Sequence, residues 1–270
     1  MFAVAKKAWG RLVTEPLQWI DTHGRLPAGR VSLDARTTIV LITACLVLAL
    51  MSYGVLSPRI QDAISGALLG LVRGVDPAIG DALEPYRPLL RIVVWSIGAF
   101  TTYFCLPALI VTRVFGHRLA DYGLSLKGIR GHLWVYFVLF LPVFGLVLLV
   151  STTPDFQAKY PFYRDPIGTA DLIVWELFYA LQFFSLEFFF RGFLIHGLKD
   201  RFGRYAIFVM VIPYTMIHFS KPFYESLGAI GAGSILGLLS LRTGSVFGGF
   251  LIHVGVAWSM DVAALLHRGL

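Results

Sequence analysis

The stretch SLEFFFRGFLIHGL, residues 185–198, places one carboxylate, Glu187, and one guanidinium, Arg191, four residues apart in a run of phenylalanine and leucine. Whether these charges lie in a soluble core or in lipid depends on the rest of the chain. Of its 270 residues 57% are hydrophobic and only 14% are charged, and the mean hydropathy is +0.72. A soluble domain carries about 25% charged residues, so this composition points to bilayer as the main solvent. The net charge of +7 would suggest nucleic acid for a soluble protein. Here the basic residues fall between apolar runs and form no stripe with interleaved aromatics. That is the pattern of basic loops beside membrane spans, and nucleic acid is not an expected partner. Cys45 and Cys105 lie within apolar runs, which argues against a disulfide framework.

A hydrocarbon core about 30 Å thick takes roughly 20 apolar residues of helix. Working outward from the opening segment, spans are expected over 37–56, 89–112, 132–151, 171–195, 205–221, 225–241 and 245–265. Residues 59–75, RIQDAISGALLGLVRGV, alternate apolar and charged groups at helical spacing and read as an interfacial amphipathic helix. The expectation is therefore an all-α polytopic bundle of about seven transmembrane helices plus one interfacial helix. Its expected organisation is a cytoplasmic segment 1–36, N-terminal spans over 37–118 and a membrane domain over 119–270. With the N-terminus inside, the inner segments hold 14 Lys and Arg residues against 7 outside, which favours an N-in, C-out orientation. Ala229, Gly233 and Gly237 recur every four residues, a spacing that lets helix backbones approach closely in lipid.

Ionisable side chains within spans face a bundle interior or a wet cavity. Setting aside residues near the interfaces leaves Glu187, Arg191, His218 and His253; Glu176 lies close to the outer end of its span. Counted from the nearest inner basic residue at about 1.5 Å per residue, Glu187, His218 and His253 lie roughly 18, 21 and 16 Å deep. Three groups on three helices thus fall within about one turn in depth. A single buried histidine is more often a satisfied core residue, and a lone Glu–Arg pair is more often a helix lock. A carboxylate with two imidazoles at one level instead suits water activation by a general base and stabilisation of an oxyanion. The same trio could ligate zinc, although no HExxH helix supports a metal. A proton-coupled transporter would also hold Glu and His at this depth, but no inverted repeat is visible.

Three motifs in order carry a resemblance to a known family. Leu186-Glu187-Phe188-Phe189-Phe190-Arg191 resembles a Glu-Glu-x-x-x-Arg motif, Tyr214-Thr215-Met216-Ile217-His218 an aromatic-x-x-x-His motif, and His253-Val254-Gly255-Val256-Ala257 a His-x-x-x-Asn motif. Over roughly residues 120–265 the chain resembles the CPBP intramembrane proteases, the type II CAAX prenyl protease or Abi-like family. The resemblance implies an intramembrane endopeptidase that cuts a membrane-associated protein or peptide; no cofactor is expected, with a divalent metal such as zinc as the alternative. In a protease model built on it, Glu187 and His218 activate water, Arg191 orients Glu187, and His253 helps to hold the oxyanion. Two positions depart from the pattern. Leu186 stands where the family places its water-activating glutamate, and Ala257 where it places the oxyanion-binding asparagine. The segment HFSKPFYE, 218–225, is similar to one in a divergent single-glutamate branch, which adds Glu225 and Tyr214 as auxiliary candidates. The alternative is a relative that has lost catalysis and serves as a membrane scaffold, chaperone or bacteriocin-immunity factor. The family's distribution further implies a bacterial plasma or inner membrane.

Overall fold

Every regular element among the described residues is helical. The computed structural model describes residues 34–164, 166–221 and 223–268, together with Gly10, Thr14 and Glu15. Most of the segment expected to be cytoplasmic, 1–36, therefore lies outside the described residues. Among the described residues six helices are long and apolar enough to cross a membrane: Ala35–Val55, Pro77–Val114, Arg130–Val150, Thr169–Phe202, Phe223–Thr243 and Phe247–His267. The chain is a multi-pass membrane protein.

Helix α1, Ala35–Ala49, starts where Asp34 accepts hydrogen bonds from the backbone amides of Arg36 and Thr37, both at 3.2 Å, satisfying donors that have no partner within the helix. Helix α2, Pro58–Val75, opens with proline at its first position, where a missing N–H costs nothing. Its Ile60, Ile64, Leu68, Leu71 and Val75 form one exposed apolar stripe, matching the amphipathic helix expected there. Its charged face is paired. Asp62 meets Arg91 of α3, Arg87–Ala99, at 3.0 Å, and Arg73 meets Asp81 at 2.9 Å and Glu84 at 3.1 Å. Arg91, which falls within the span expected over 89–112, thus has a partner on the neighbouring helix.

Helix α4, Leu133–Val150, is apolar around its whole circumference. Helix α5, Thr169–Glu187, runs through a π-helical segment, Phe188–Leu194, into α6, Ile195–Phe202. The span expected over 205–221 is shorter than read: α7 covers only Tyr205–Met216, about 18 Å of helix against a core of about 30 Å. The chain turns after Met216, which carries His218 out of the helix. Helices α8, Phe223–Thr243, and α9, Phe247–Arg268, complete the chain.

These elements form two compact units: Met1–Cys45, Pro107–Phe137 and Glu187–Leu251 make the first, and Leu46–Leu106, Val138–Leu186 and Ile252–Leu270 the second. In the first, the small residues of α8 do what their spacing predicts. A Cβ on Gly233 would sit 2.9 Å from the Tyr214 ring, and one on Gly237 would sit 2.9 Å from Ile195 and 3.2 Å from Ile207. Real Cβ atoms do not approach so closely, so α7 and α6 pack onto α8 only because these positions are glycine. The second unit is held by an aromatic core of Tyr163, Trp175 and Tyr179 with Leu89 and Ala257. Trp175 and Tyr179 stack at 4.4 Å, and the Trp175 indole N–H donates to the Asp261 carboxylate at 2.8 Å.

Candidate active site

Glu187 ends α5, and Arg191 lies one turn on, within the π-helical segment. Both side chains are 0% exposed, and Arg191 NH1 stands 2.9 Å from Glu187 Oε1. The Arg191 guanidinium also lies over the face of Tyr214, 3.9 Å from the ring centroid, an attraction that strengthens when the cation is desolvated. Tyr214 is 1% exposed, and Phe190 packs edge-on against it at 5.2 Å.

Tyr214 also contacts His218, with ring centroids 4.8 Å apart. His218 sits in the turn after α7, and its Nδ1 lies 2.8 Å from the Tyr214 carbonyl. A carbonyl only accepts, so Nδ1 carries the proton, and in the neutral ring Nε2 is the basic nitrogen. The backbone of this turn is pinned as well: the His218 carbonyl accepts from the Ser226 hydroxyl at 2.7 Å and from the Lys221 amide at 2.8 Å. One continuous train therefore runs from a wholly buried carboxylate through Arg191 and Tyr214 to a half-buried imidazole. Glu225, in the first turn of α8, is 3.8 Å from Lys221. It stands at the His218 end of the train, within electrostatic reach of Tyr214.

The first turn of α9 closes over this group. A methyl group at Gly249 would collide with Glu187 Oε2, and one at Gly248 would fall within the ring of Tyr136 from α4. Sequence reading gave no role to Tyr136, Gly248, Gly249 or Ser226. The adjacent glycines in an apolar helix were the one visible signal of a close approach.

The remaining expected residues belong to the second unit. His253 stacks on Phe183 with ring centroids 5.5 Å apart and planes 8° from parallel. Phe183 in turn follows Tyr179 and Trp175 in a ladder of four-residue steps along α5. Ala257 is 4% exposed within the aromatic core, so the position that carries a donor in the resembling motif is a packing position here. Glu176, expected near the interface, is half-buried, and its Oε2 has no hydrogen-bond partner among the described residues. Among the described residues no group of three or more His, Cys, Asp and Glu is placed to share a metal ion.

No curated protein and no solved structure matched the chain. Residues 168–259 match the family model described as type II CAAX prenyl endopeptidase, Rce1-like. That segment begins just before α5 and ends within α9, so it includes the pair Glu187–Arg191, the Tyr214–His218 turn and His253. The match places an Rce1-like segment at residues 168–259, in support of the CPBP resemblance carried by the three motifs.

Proposed function

We propose that the protein is an intramembrane endopeptidase that hydrolyses a peptide bond near the membrane-bound C-terminus of a protein or peptide. The observation that carries this reading is the train Glu187–Arg191–Tyr214–His218, which holds one imidazole in a defined tautomer. His218 Nε2 takes a proton from water as the water oxygen attacks the scissile carbonyl carbon. The carbon–nitrogen bond then breaks, and His218 returns the proton to the leaving amine. Glu187 balances Arg191, which lies on Tyr214 and fixes the ring against which His218 rests. Positive charge concentrated in the inner segments supports a cytoplasmic N-terminus, in a bacterial plasma membrane on the family's distribution.

The test is hydrolysis of internally quenched peptides ending in Cys-aliphatic-aliphatic-X, prenylated and unprenylated, by the full-length protein in liposomes. His218→Ala and Glu187→Gln should each lower turnover by about 10²–10⁴-fold, the usual contribution of a positioned acid or base. His253→Ala tests the oxyanion role that its motif assigns. Turnover that survives all three variants refutes the reading. A second reading, a non-hydrolytic scaffold, is favoured by the complete burial of Glu187 against Arg191 and by Leu186 and Ala257. It requires that the wild-type protein leave every such peptide intact.

A further inference from the structure

Two spans end at one place: Arg130–Val150 begins, and Phe223–Thr243 finishes, where the loop before α4 packs on the last turn of α8. A methyl group on Gly128 would collide with the Thr243 carbonyl oxygen, so loop and helix end meet backbone to backbone. His132 fastens the same junction. Its Nδ1 lies 2.9 Å from the Gly128 carbonyl, which only accepts, so Nδ1 holds the proton and Nε2 accepts from Arg242 Nε at 3.4 Å. Held through Nε, Arg242 keeps both terminal nitrogens of its guanidinium without a protein partner among the described residues. Lys127 and Arg130 lie on either side of Gly128 and are exposed. None of these three cations meets a carboxylate among the described residues, and Asp121, in the preceding turn, is already paired with Arg118 at 3.0 Å. One cation at a helix C-terminus is explained by the helix dipole; three without a counter-ion at the ends of two spans are not. Apolar side chains adjoin them: Leu126 is 58%, Leu133 46% and Trp134 62% exposed. A tryptophan at the end of a span suits the depth at which headgroups meet acyl chains.

We propose that this junction is a binding site for the headgroup phosphate of an anionic phospholipid, whose acyl chains lie along the exposed side chains at the start of α4. Arg242, held in place by His132, presents a planar fork that matches phosphate geometry. Arg130 and Lys127 add charge from the loop. A zwitterionic lipid carries the same phosphate, but its choline cation is repelled by three unpaired basic residues. On the orientation proposed above, the lipid belongs to the cytoplasmic leaflet, where anionic headgroups attract basic segments at span ends.

The test is retention of radiolabelled phosphatidylglycerol by the full-length protein in neutral detergent micelles, with phosphatidylcholine of the same acyl chains and inorganic phosphate as competitors. Phosphatidylglycerol should bind, and neither competitor at equal concentration should displace it. At about fivefold in affinity per basic residue near a membrane surface, Lys127→Gln/Arg130→Gln should weaken binding by about 25-fold, and adding Arg242→Gln should bring the loss to about 100-fold. The charge-matched control, Arg59→Gln/Arg113→Gln, removes exposed cations elsewhere and should bind within about twofold of wild type. Both double variants alter exposed side chains, so their unfolding midpoints without added lipid should match wild type. Equal losses in the two doubles would reduce the attraction to overall charge and overturn the inference. Displacement by phosphatidylcholine would overturn it by showing a nonselective lipid contact, and displacement by inorganic phosphate by showing a site for the free ion. No arm reads peptide cleavage, so the inference and the peptidase reading stand or fall separately.

Discussion

Removing one member of the Glu187–Arg191 pair should cost far more than removing both. At 2.9 Å and an effective dielectric of about 20, the Coulomb attraction is about 6 kcal/mol. Both groups are wholly buried, and desolvation costs several kcal/mol per ion, so the net worth of the intact pair is near zero. Glu187→Leu leaves an uncompensated guanidinium and should cost about 3–5 kcal/mol. Arg191→Met leaves a bare carboxylate and also forfeits the contact with Tyr214 at 3.9 Å, worth about 1–2 kcal/mol more. The double variant Glu187→Leu/Arg191→Met keeps only that last loss and a small packing defect, so it should fall within about 2 kcal/mol of wild type. Reversible unfolding in mixed micelles, followed by circular dichroism, gives all four corners of the cycle. Penalties that simply add would refute the argument, because additivity means the charges are solvated by something other than each other. The double variant, though folded, should also be inactive, which separates the pair's functional role from its stability.

Gly249→Ala should destabilise the protein by about 1–3 kcal/mol and displace the Glu187 carboxylate, so turnover should fall even at temperatures where the variant is folded; unchanged activity would count against the close approach. Ala257→Asn inserts an amide among Trp175, Tyr179 and Tyr163 and should lower the midpoint of unfolding by the equivalent of about 1–3 kcal/mol, without raising kcat. Gly233→Leu should drive the Tyr214 ring off Arg191 and lower both stability and turnover, whereas Gly231→Leu, at a position with nothing nearby, should leave both within error. At the start of α1, the Thr37 hydroxyl holds the Asp34 carboxyl below its ordinary value. Its capping contribution, about 1 kcal/mol by comparison with Asp34→Ala, should be complete above about pH 4 and disappear as the pH falls through the lower folded-state value. A pH-independent difference between the two proteins would refute it.

The features legible in the sequence are those that depend on spacing along one helix. Glu187 and Arg191 at four residues do meet, Tyr214 and His218 at four residues do touch, and the small-residue ladder of α8 does bring helices close. What escaped reading was set by partners far apart in sequence. Arg91 finds Asp62 across two helices, and Asp261 is drawn into the second unit by the Trp175 indole, 86 residues away. Tyr136 looked like one more aromatic in an apolar run, because nothing local marks where its hydroxyl lies. The end of α7 was misjudged because hydropathy continues through Ile217 and Phe219. Hydropathy does not register the turn, in which the His218 ring binds the Tyr214 carbonyl and Ser226 binds the His218 carbonyl.

The π-helical segment Phe188–Leu194 acts as a phase shifter. Its hydrogen bonds reach one residue further than those of an α-helix, so it absorbs an extra residue without breaking the rod. Deleting a single phenylalanine from Phe188–Phe190 would let the segment relax to an ordinary helix of 3.6 residues per turn. Arg191 would then swing about 100° relative to Glu187, away from Tyr214, while α6 kept its own hydrophobic face only by rotating with it. The segment thus sets the angular position of Arg191 relative to Glu187 along the rod. Any chain in which the pair and the Tyr214 contact are both kept must also keep the count of residues between Glu187 and Ile195.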